Sequence, residues 1–247
     1  PQHLPQAVLS LDKISTATFS QLQERGVNTL EIMHPFYQRF VSGRAQLPEE
    51  WKPPNQREHE EMRRVLVSLQ WGYAGDHGYR THLKGILENG LFFDELAQAI
   101  RETSSETFWH LRLHPVQLRG AGYRELRGFI NEFTEANPNT EWQFSSEAPF
   151  PAVASICQAN ITMSSASSYD ASLFGLKTLL LCPTVRPGGL HHRRFNDLIE
   201  DGYAEKRVAT KNTIVEWVKK ARKVPPRSLT KHDEDTQTAL QVLRPFL

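Results

Sequence analysis

From residue 63 onward the chain repeats one rhythm: a short apolar run, a polar or glycine-bearing loop, then apolar residues spaced three and four apart. "RRVLVSLQWG" opens it as a β-rich run of the kind buried on both faces of a sheet. In "LFFDELAQAIRE" the residues Leu91, Leu96 and Ile100 mark one helical face. "TFWHLRLHP" is the next strand, and "YRELRGFINEFTEAN" follows with Leu126, Phe129, Ile130 and Phe133 at helical spacing. "TEWQFSS" reads as a third strand leading through "EAPFP" into the helix "AVASICQA". "NITMSS" and "KTLLLCP" are a fourth and fifth strand around a helix from Ser168 to Phe174 that Gly175 ends. "GLHHRRFNDLIEDG" predicts a helix, "KRVAT" a short strand, and "TIVEWVKKARK" a last helix whose basic end complements the helix dipole. Strands alternating with helices predict a parallel sheet covered on both faces, a doubly wound, Rossmann-like α/β domain.

The first sixty residues have a different texture. "AVLSLDKISTATFSQLQERG" predicts a short strand and a helix from about Ser15 to Arg25, stopped by Gly26. "VNTLEIMHPF" reads as a second strand ending in His34 and Pro35, and the proline-rich, charged stretch 42–61 as a linker. These patterns predict one segment over 1–61 and a Rossmann-like domain over 62–247.

Composition narrows the function classes. The 247 residues are enough to bury a core. With 29 basic residues against 28 acidic, the net charge of +1 gives no global attraction to nucleic acid or membrane, so any anion site must be local. Cys157 and Cys182 lack CxxC spacing, which argues against a disulfide framework or a cysteine zinc site and for a reducing, cytoplasmic setting. No apolar run reaches the length of a membrane span. Starting at Pro1 without methionine, the chain is expected to be a piece of a longer protein.

Ligands of open α/β sheets collect at the carboxyl ends of the strands. Gly72, His114, Ser146 with Glu147, Ser164 with Ser165, and Pro183 all fall at such ends. The most loaded is "MSSASSYDASLFG", where a strand gives way to hydroxyls at the start of a helix. Unpaired N–H groups in a first helical turn, beside hydroxyls, suit phosphate oxygens. Ser167 or Ser168 would serve equally as a plain N-cap, and both readings stand. His114, held extended by Pro115, either closes its strand or offers an imidazole donor to an anion. "RPGGLHHRRF" sets His191, Arg193 and Arg194 around a helix start, where they would meet a pyrophosphate or an acidic acceptor, or form a solvated basic turn. "WGYAGDHGYRTH" does not match GxGxxG, and neither HExxH nor GxSxG occurs, so no metal or resident cofactor is predicted.

"RLHP" (His114, Pro115) and "MSSASSYD" (Ser164, Ser165), followed by "ASLFGLKTLLLCP", resemble the C-terminal, nucleotide-binding half of GT-B glycosyltransferases. The closer likeness is to bacterial enzymes using CMP- or CDP-linked donors: capsule polysialyltransferases, Kdo transferases and teichoic acid glycerophosphotransferases. The resemblance covers residues 62 to about 225 and rests on two short motifs. It implies that His114, Ser164 and Ser165 hold the donor phosphate and that Ser146 and Glu147 lie near the base; separately, the glycines of the loop that begins at Gly72 would let it approach the donor or acceptor. It also implies a nucleotide-sugar donor, a carbohydrate acceptor, and a cytoplasmic protein, peripheral at the inner membrane face. Residues 1–61 then look like the tail of the acceptor-binding half, most of which this chain lacks. No catalytic base can be assigned. An epimerase or hydrolase of the same fold, or a non-catalytic nucleotide- or glycan-binding module, would carry the same pattern.

Overall fold

The computed structural model describes residues 4–10, 19–31, 35–41, 43, 46–51, 61–69, 87 and 91–227. The chain divides into two compact units, Pro1–Gln46 with Ser228–Leu247, and Leu47–Arg227. The division at Leu47 falls inside the proline-rich stretch 42–61, and it groups 228–247 with the first unit, whereas the sequence pattern assigned them to the second.

The smaller unit holds β1 (Ala7–Ser10), α1 (Ser20–Gln23), β2 (Asn28–Glu31) and α2 (Pro35–Val41). β1 and β2 pair in parallel, Ala7 opposite Asn28. Gly26, at φ +81°, turns the chain out of α1 in the left-handed region that glycine adopts without strain. The expected second strand stops at Glu31 and Pro35 instead begins a helix, a position proline favours because its missing N–H would be unpaired there anyway. His34 lies outside the described residues, as does the stretch 11–18 that includes the expected start of α1.

The larger unit contains β3 (Arg63–Ser68), α3 (Asp94–Glu102), β4 (Thr107–Arg112), α4 (Pro115–Arg119), α5 (Arg124–Ala136), β5 (Thr140–Glu141), α6 (Gln143–Glu147), α7 (Phe150–Ile156), β6 (Ala159–Thr162), α8 (Ser167–Leu173), β7 (Lys177–Leu180), α9 (Asn196–Glu200), β8 (Ala204–Lys206) and α10 (Lys211–Lys220). Its six strands form one sheet in the order β5-β4-β3-β6-β7-β8, and each neighbouring pair is parallel. The α/β, doubly wound architecture is the one the sequence pattern predicts.

Register decides what each face buries. Leu66 sits opposite His110 and Asn160, and Asn160 opposite Thr178, so these side chains share one face. Val65, Val67, Trp109, Leu111, Ile161 and Leu179 share the other face. That second face joins Leu96 and Ile100 of α3, Leu126 and Ile130 of α5, and Ile214 and Val218 of α10 in one buried cluster. The first face packs under α7 and α8 and carries a buried polar ladder. Ser68 Oγ donates to Asn160 Oδ1 at 2.8 Å, and Asn160 Nδ2 donates to Thr178 Oγ1 at 3.1 Å. Fully paired groups of this kind make a one-residue register slip costly, because a slip would strand them in the core.

Three predicted elements differ. The expected strand 140–146 ends at Glu141, because the Glu141 carboxylate accepts Ser145 N–H through Oε2 and starts α6. The expected helix over 189–202 shrinks to Asn196–Glu200. Before it the chain runs in turns, with Gly188 at φ +81° and Phe195 at φ 67°. The last strand is Ala204–Lys206 rather than "KRVAT".

Candidate functional site at the sheet switch point

In the order β5-β4-β3-β6-β7-β8 the chain works outward from β3 in one direction, then returns to β6 on the other side. The crevice of such a sheet opens beyond the carboxyl ends of these two central strands. β4 and β6 flank β3, so their ends stand about 10 Å apart at the usual strand spacing. His114 follows β4, and Ser164 and Ser165 follow β6. The two predicted segments therefore border one crevice, and Gly72, expected between them after β3, lies outside the described residues.

His114 is the N-cap of α4 with Pro115 in the first helical position. Its Nδ1 accepts Val116 N–H at 3.2 Å, while Gln117 Oε1 accepts the backbone N–H of His114 at 3.0 Å. Burial lowers the pKa of this half-buried imidazole, so it is neutral at pH 7. With Nδ1 accepting, the ring proton resides on Nε2, which is the donor that an anionic ligand needs. The cap uses Nδ1, and a ligand would have to be met by Nε2.

The turn into α8 divides its hydroxyls in a similar way. Ser165 Oγ accepts Ser167 N–H at 3.2 Å, and the Ser165 carbonyl accepts Ser168 N–H at 3.2 Å and Ser168 Oγ–H at 2.8 Å. Ala166 is the N-cap residue and has no side-chain bond to give, so the Ser165 hydroxyl, not Ser167 or Ser168, takes the first-turn N–H, and accepting leaves its proton to donate elsewhere. Ser164 is buried, and Asp170 lies in the first turn of α8.

Ser146 and Glu147 belong to α6. Ser146 Oγ accepts the Leu113 N–H at 2.9 Å and lies 3.5 Å from Leu111 O, which clamps the residue just before His114. Arg112 donates through Nη1 to the carbonyls of Ser145 and Ala148, the latter at 2.8 Å, and so closes the carboxyl end of α6. Glu141 adds a third tie, with Oε1 2.6 Å from Nδ1 of the fully buried His110. Replacing Ser146 by alanine leaves the buried Leu113 N–H without its acceptor. The expected loss is about 1–3 kcal/mol of stability, read as a lower midpoint in urea denaturation.

His191, Arg193 and Arg194 stand in the turns after β7, one strand beyond β6. His191 N–H donates to Thr184 O at 2.7 Å, Arg193 is exposed, and the Arg194 guanidinium lies 4.8 Å from the Phe195 ring centroid.

The sequence pattern did not single out Ser68, Thr162 or Gln117. A small cleft at the switch point is lined by Ser68 and Thr162 together with Leu69, Phe92, Met163 and Leu181. Thr162 Oγ1 donates to Ser68 O at 2.6 Å and joins the two central strands there. A serine and a threonine closing apolar strands were the available signal. Among the described residues no three His, Cys, Asp or Glu side chains cluster as a metal site.

No protein-family model matches the chain, and no curated protein matches it. Solved structures do match over nearly all of it. A protein assigned as a UDP-N-acetylglucosamine 2-epimerase from Listeria monocytogenes aligns with TM-score 0.55 and 13% identity, covering 96% of this chain and 58% of that one. S. aureus MnaA with UDP aligns with TM-score 0.52 and 12% identity, covering 94% and 57%. The wall teichoic acid polymerase TagF aligns with TM-score 0.51 and 13% identity, covering 96% and 53%. The fold is that of GT-B enzymes. The chain spans a little over half the length of each of these structures. No helix among the described residues is long and apolar enough to cross a membrane.

Proposed function

We propose that the larger unit, which holds the six-stranded sheet, is the donor-binding domain of a nucleotide-sugar glycosyltransferase. It transfers a sugar from a CMP- or CDP-linked donor to a carbohydrate acceptor in bacterial surface polysaccharide assembly, on the cytoplasmic side of the membrane. The observation that carries this reading is the placement of His114 and the Ser164–Ser165 turn on either side of the switch point. In it, His114 Nε2–H, the Ser165 hydroxyl and the N–H groups of the turn meet the donor phosphate. Their preset dipoles then stabilise the charge of the departing nucleotide, with no metal assigned to the step. Ser146 and Arg112 hold the end of β4 so that His114 is in place, and Glu147 stands toward the base. Residues 1–61 are the tail of an acceptor-binding half that supplies the catalytic base.

A second reading is a nucleotide-sugar 2-epimerase, favoured by the two matches that are named as an epimerase and as a UDP complex. It would turn over donor without an acceptor. A thermal-shift panel separates the two. At a hundredfold excess over Kd a nucleotide adds about 2.7 kcal/mol, or roughly 5–11 °C of melting temperature for a chain of this size. Cytidine nucleotides are expected to give the largest shift and UDP a smaller one. A UDP maximum moves the assignment to the epimerase, and no shift with any nucleotide ends both. Donor consumption by this chain alone is expected to be slow even with acceptor, because an ångström of misplacement across an interdomain cleft costs about a hundredfold.

A further inference from the structure

We propose that Arg227 is a positioning residue for the turn that opens α8, acting on it through Asp197 and Tyr169. The proposal rests on the reading of that turn as part of the donor site, and adds to it a residue that meets no ligand. The larger unit ends at Arg227, and the chain then passes into the other unit.

The stretch 221–227 forms no helix or strand, yet it is pinned along its length. Lys223 Nζ donates to Ser155 O at 2.7 Å, Val224 N–H to Gly175 O at 2.9 Å, and Arg227 N–H to Ser172 O at 3.0 Å. The Pro225 carbonyl accepts the Tyr203 hydroxyl at 3.0 Å. Gly175 permits the close approach, because a Cβ there would drive into Val224 O and stand 3.5 Å from Pro226 N.

At the end of this stretch the Arg227 guanidinium grips α9. Nε and Nη2 both donate to Asp201 Oδ2, at 3.0 and 2.6 Å, and Nη2 stands 3.5 Å from Asp197 Oδ2. Exposed ion pairs contribute little. Here the Arg227 and Asp197 side chains are only 21% and 26% exposed, the planar fork fixes the direction of the contact, and the Arg227 backbone is already held by Ser172. Asp197 uses its other oxygen as well. Its Oδ1 accepts the Tyr169 hydroxyl at 3.0 Å.

Tyr169 is in the first turn of α8, where its backbone N–H donates to Ala166 O at 2.9 Å. That carbonyl shares a rigid peptide plane with Ser167 N–H, which donates to Ser165 Oγ at 3.2 Å. Holding one end of the plane aims the other. A second line reaches the same residue, since Ser172 Oγ donates to Tyr169 O at 2.7 Å while Ser172 O takes the Arg227 N–H. Two hydrogen-bonded lines thus run from the last residue of the unit to the peptide that orients the Ser165 hydroxyl. Donors aimed before the ligand arrives bind it without the cost of being ordered by it.

The test uses the full chain, with amide hydrogen exchange over residues 165–170 and calorimetric titration of cytidine nucleotide as its two readouts. Arg227→Gln and Tyr169→Phe are each expected to speed exchange there and to weaken the nucleotide roughly 2- to 30-fold, the range for changes that act on a site without touching its ligand. The double variant should lose no more than the larger single loss, because both changes break the line through Asp197. Tyr203→Phe is the control. It releases Pro225 O and loosens the same stretch away from that line, so it should lower the melting temperature and leave both readouts unchanged. Unchanged exchange in Arg227→Gln overturns the proposal, as does unchanged affinity where the parent chain binds. So does a Tyr203→Phe variant that loosens the turn equally, or a double variant whose losses multiply, since either marks a general loss of stability. If the parent chain binds no nucleotide, the donor reading falls and the exchange readout still decides the role of Arg227.

Discussion

Alanine in place of His114 is expected to weaken cytidine-nucleotide binding by about 5- to 150-fold, the 1–3 kcal/mol that goes with losing a hydrogen bond to a charged group. The change also removes the N-cap of α4, because Nδ1 accepts Val116 N–H. His114→Asn separates the two effects. Asparagine is a strong N-cap, so this variant should keep the stability of α4 and still lose the imidazole donor. Ser165→Ala should weaken binding over the same range, since its hydroxyl both caps α8 and donates outward in the proposed site. Isothermal titration calorimetry reads the outcome. Unchanged affinity in both His114→Asn and Ser165→Ala would remove the phosphate assignment.

The pH dependence follows from the same nitrogen. Burial lowers the His114 pKa from its ordinary value of 6.5, so as pH falls the unfolded chain takes up this proton before the folded one does. The contribution to stability is complete above that ordinary value and is lost as pH drops below it, when protonation of Nδ1 breaks the cap. Nucleotide affinity through the neutral ring should therefore be flat between neutral and mildly alkaline pH.

Gly175→Ala is expected to be the most damaging small substitution outside the site. Gly175 ends α8 at φ +72°, a conformation costing an L-residue about 1–2 kcal/mol. A Cβ would also drive into the Val224 carbonyl oxygen. That obstacle is backbone, and Val224 is itself fixed by its N–H donating to Gly175 O at 2.9 Å. Strain and displacement together should reach about 3 kcal/mol, a fall of roughly 6–12 °C in melting temperature for a unit of this size. Gly188→Ala is the control. It has the same backbone sign at φ +81° with nothing within 4 Å of its Cβ, so only the conformational part should appear. Equal melting temperatures for the two variants would show that the Val224 contact yields freely.

Much of the architecture was legible locally. Apolar residues three and four apart in 94–102 and 124–136 show which side each helix buries, and the unbroken apolar run within 63–68 describes a strand buried on both faces. The His-Pro pair after β4 was legible for a related reason, since proline enforces the extended backbone of an N-cap. Where patterns misled, a longer-range partner had intervened. "TEWQFSS" alternates like a strand, yet Glu141 is held by His110 and takes the Ser145 N–H, and the chain turns into α6. "GLHHRRF" carries helix-compatible residues, but burial of Phe195 against Tyr169, ring centroids 5.6 Å apart, holds it in turns.

The sequence by itself determined the elements, their α/β alternation and the residue types waiting at strand ends, because periodicity and capping act within a few residues of one another. Tertiary structure alone decided the order β5-β4-β3-β6-β7-β8, and with it which strand ends become neighbours. His114 and Ser165 are some fifty residues apart in the chain and border one crevice only because β3 stands between their strands. The tie from Ser146 to Leu113 arises in the same way. Strand order is settled by which crossovers bury the most apolar surface and pair the ladder Ser68–Asn160–Thr178, a competition over the whole domain that no local stretch encodes.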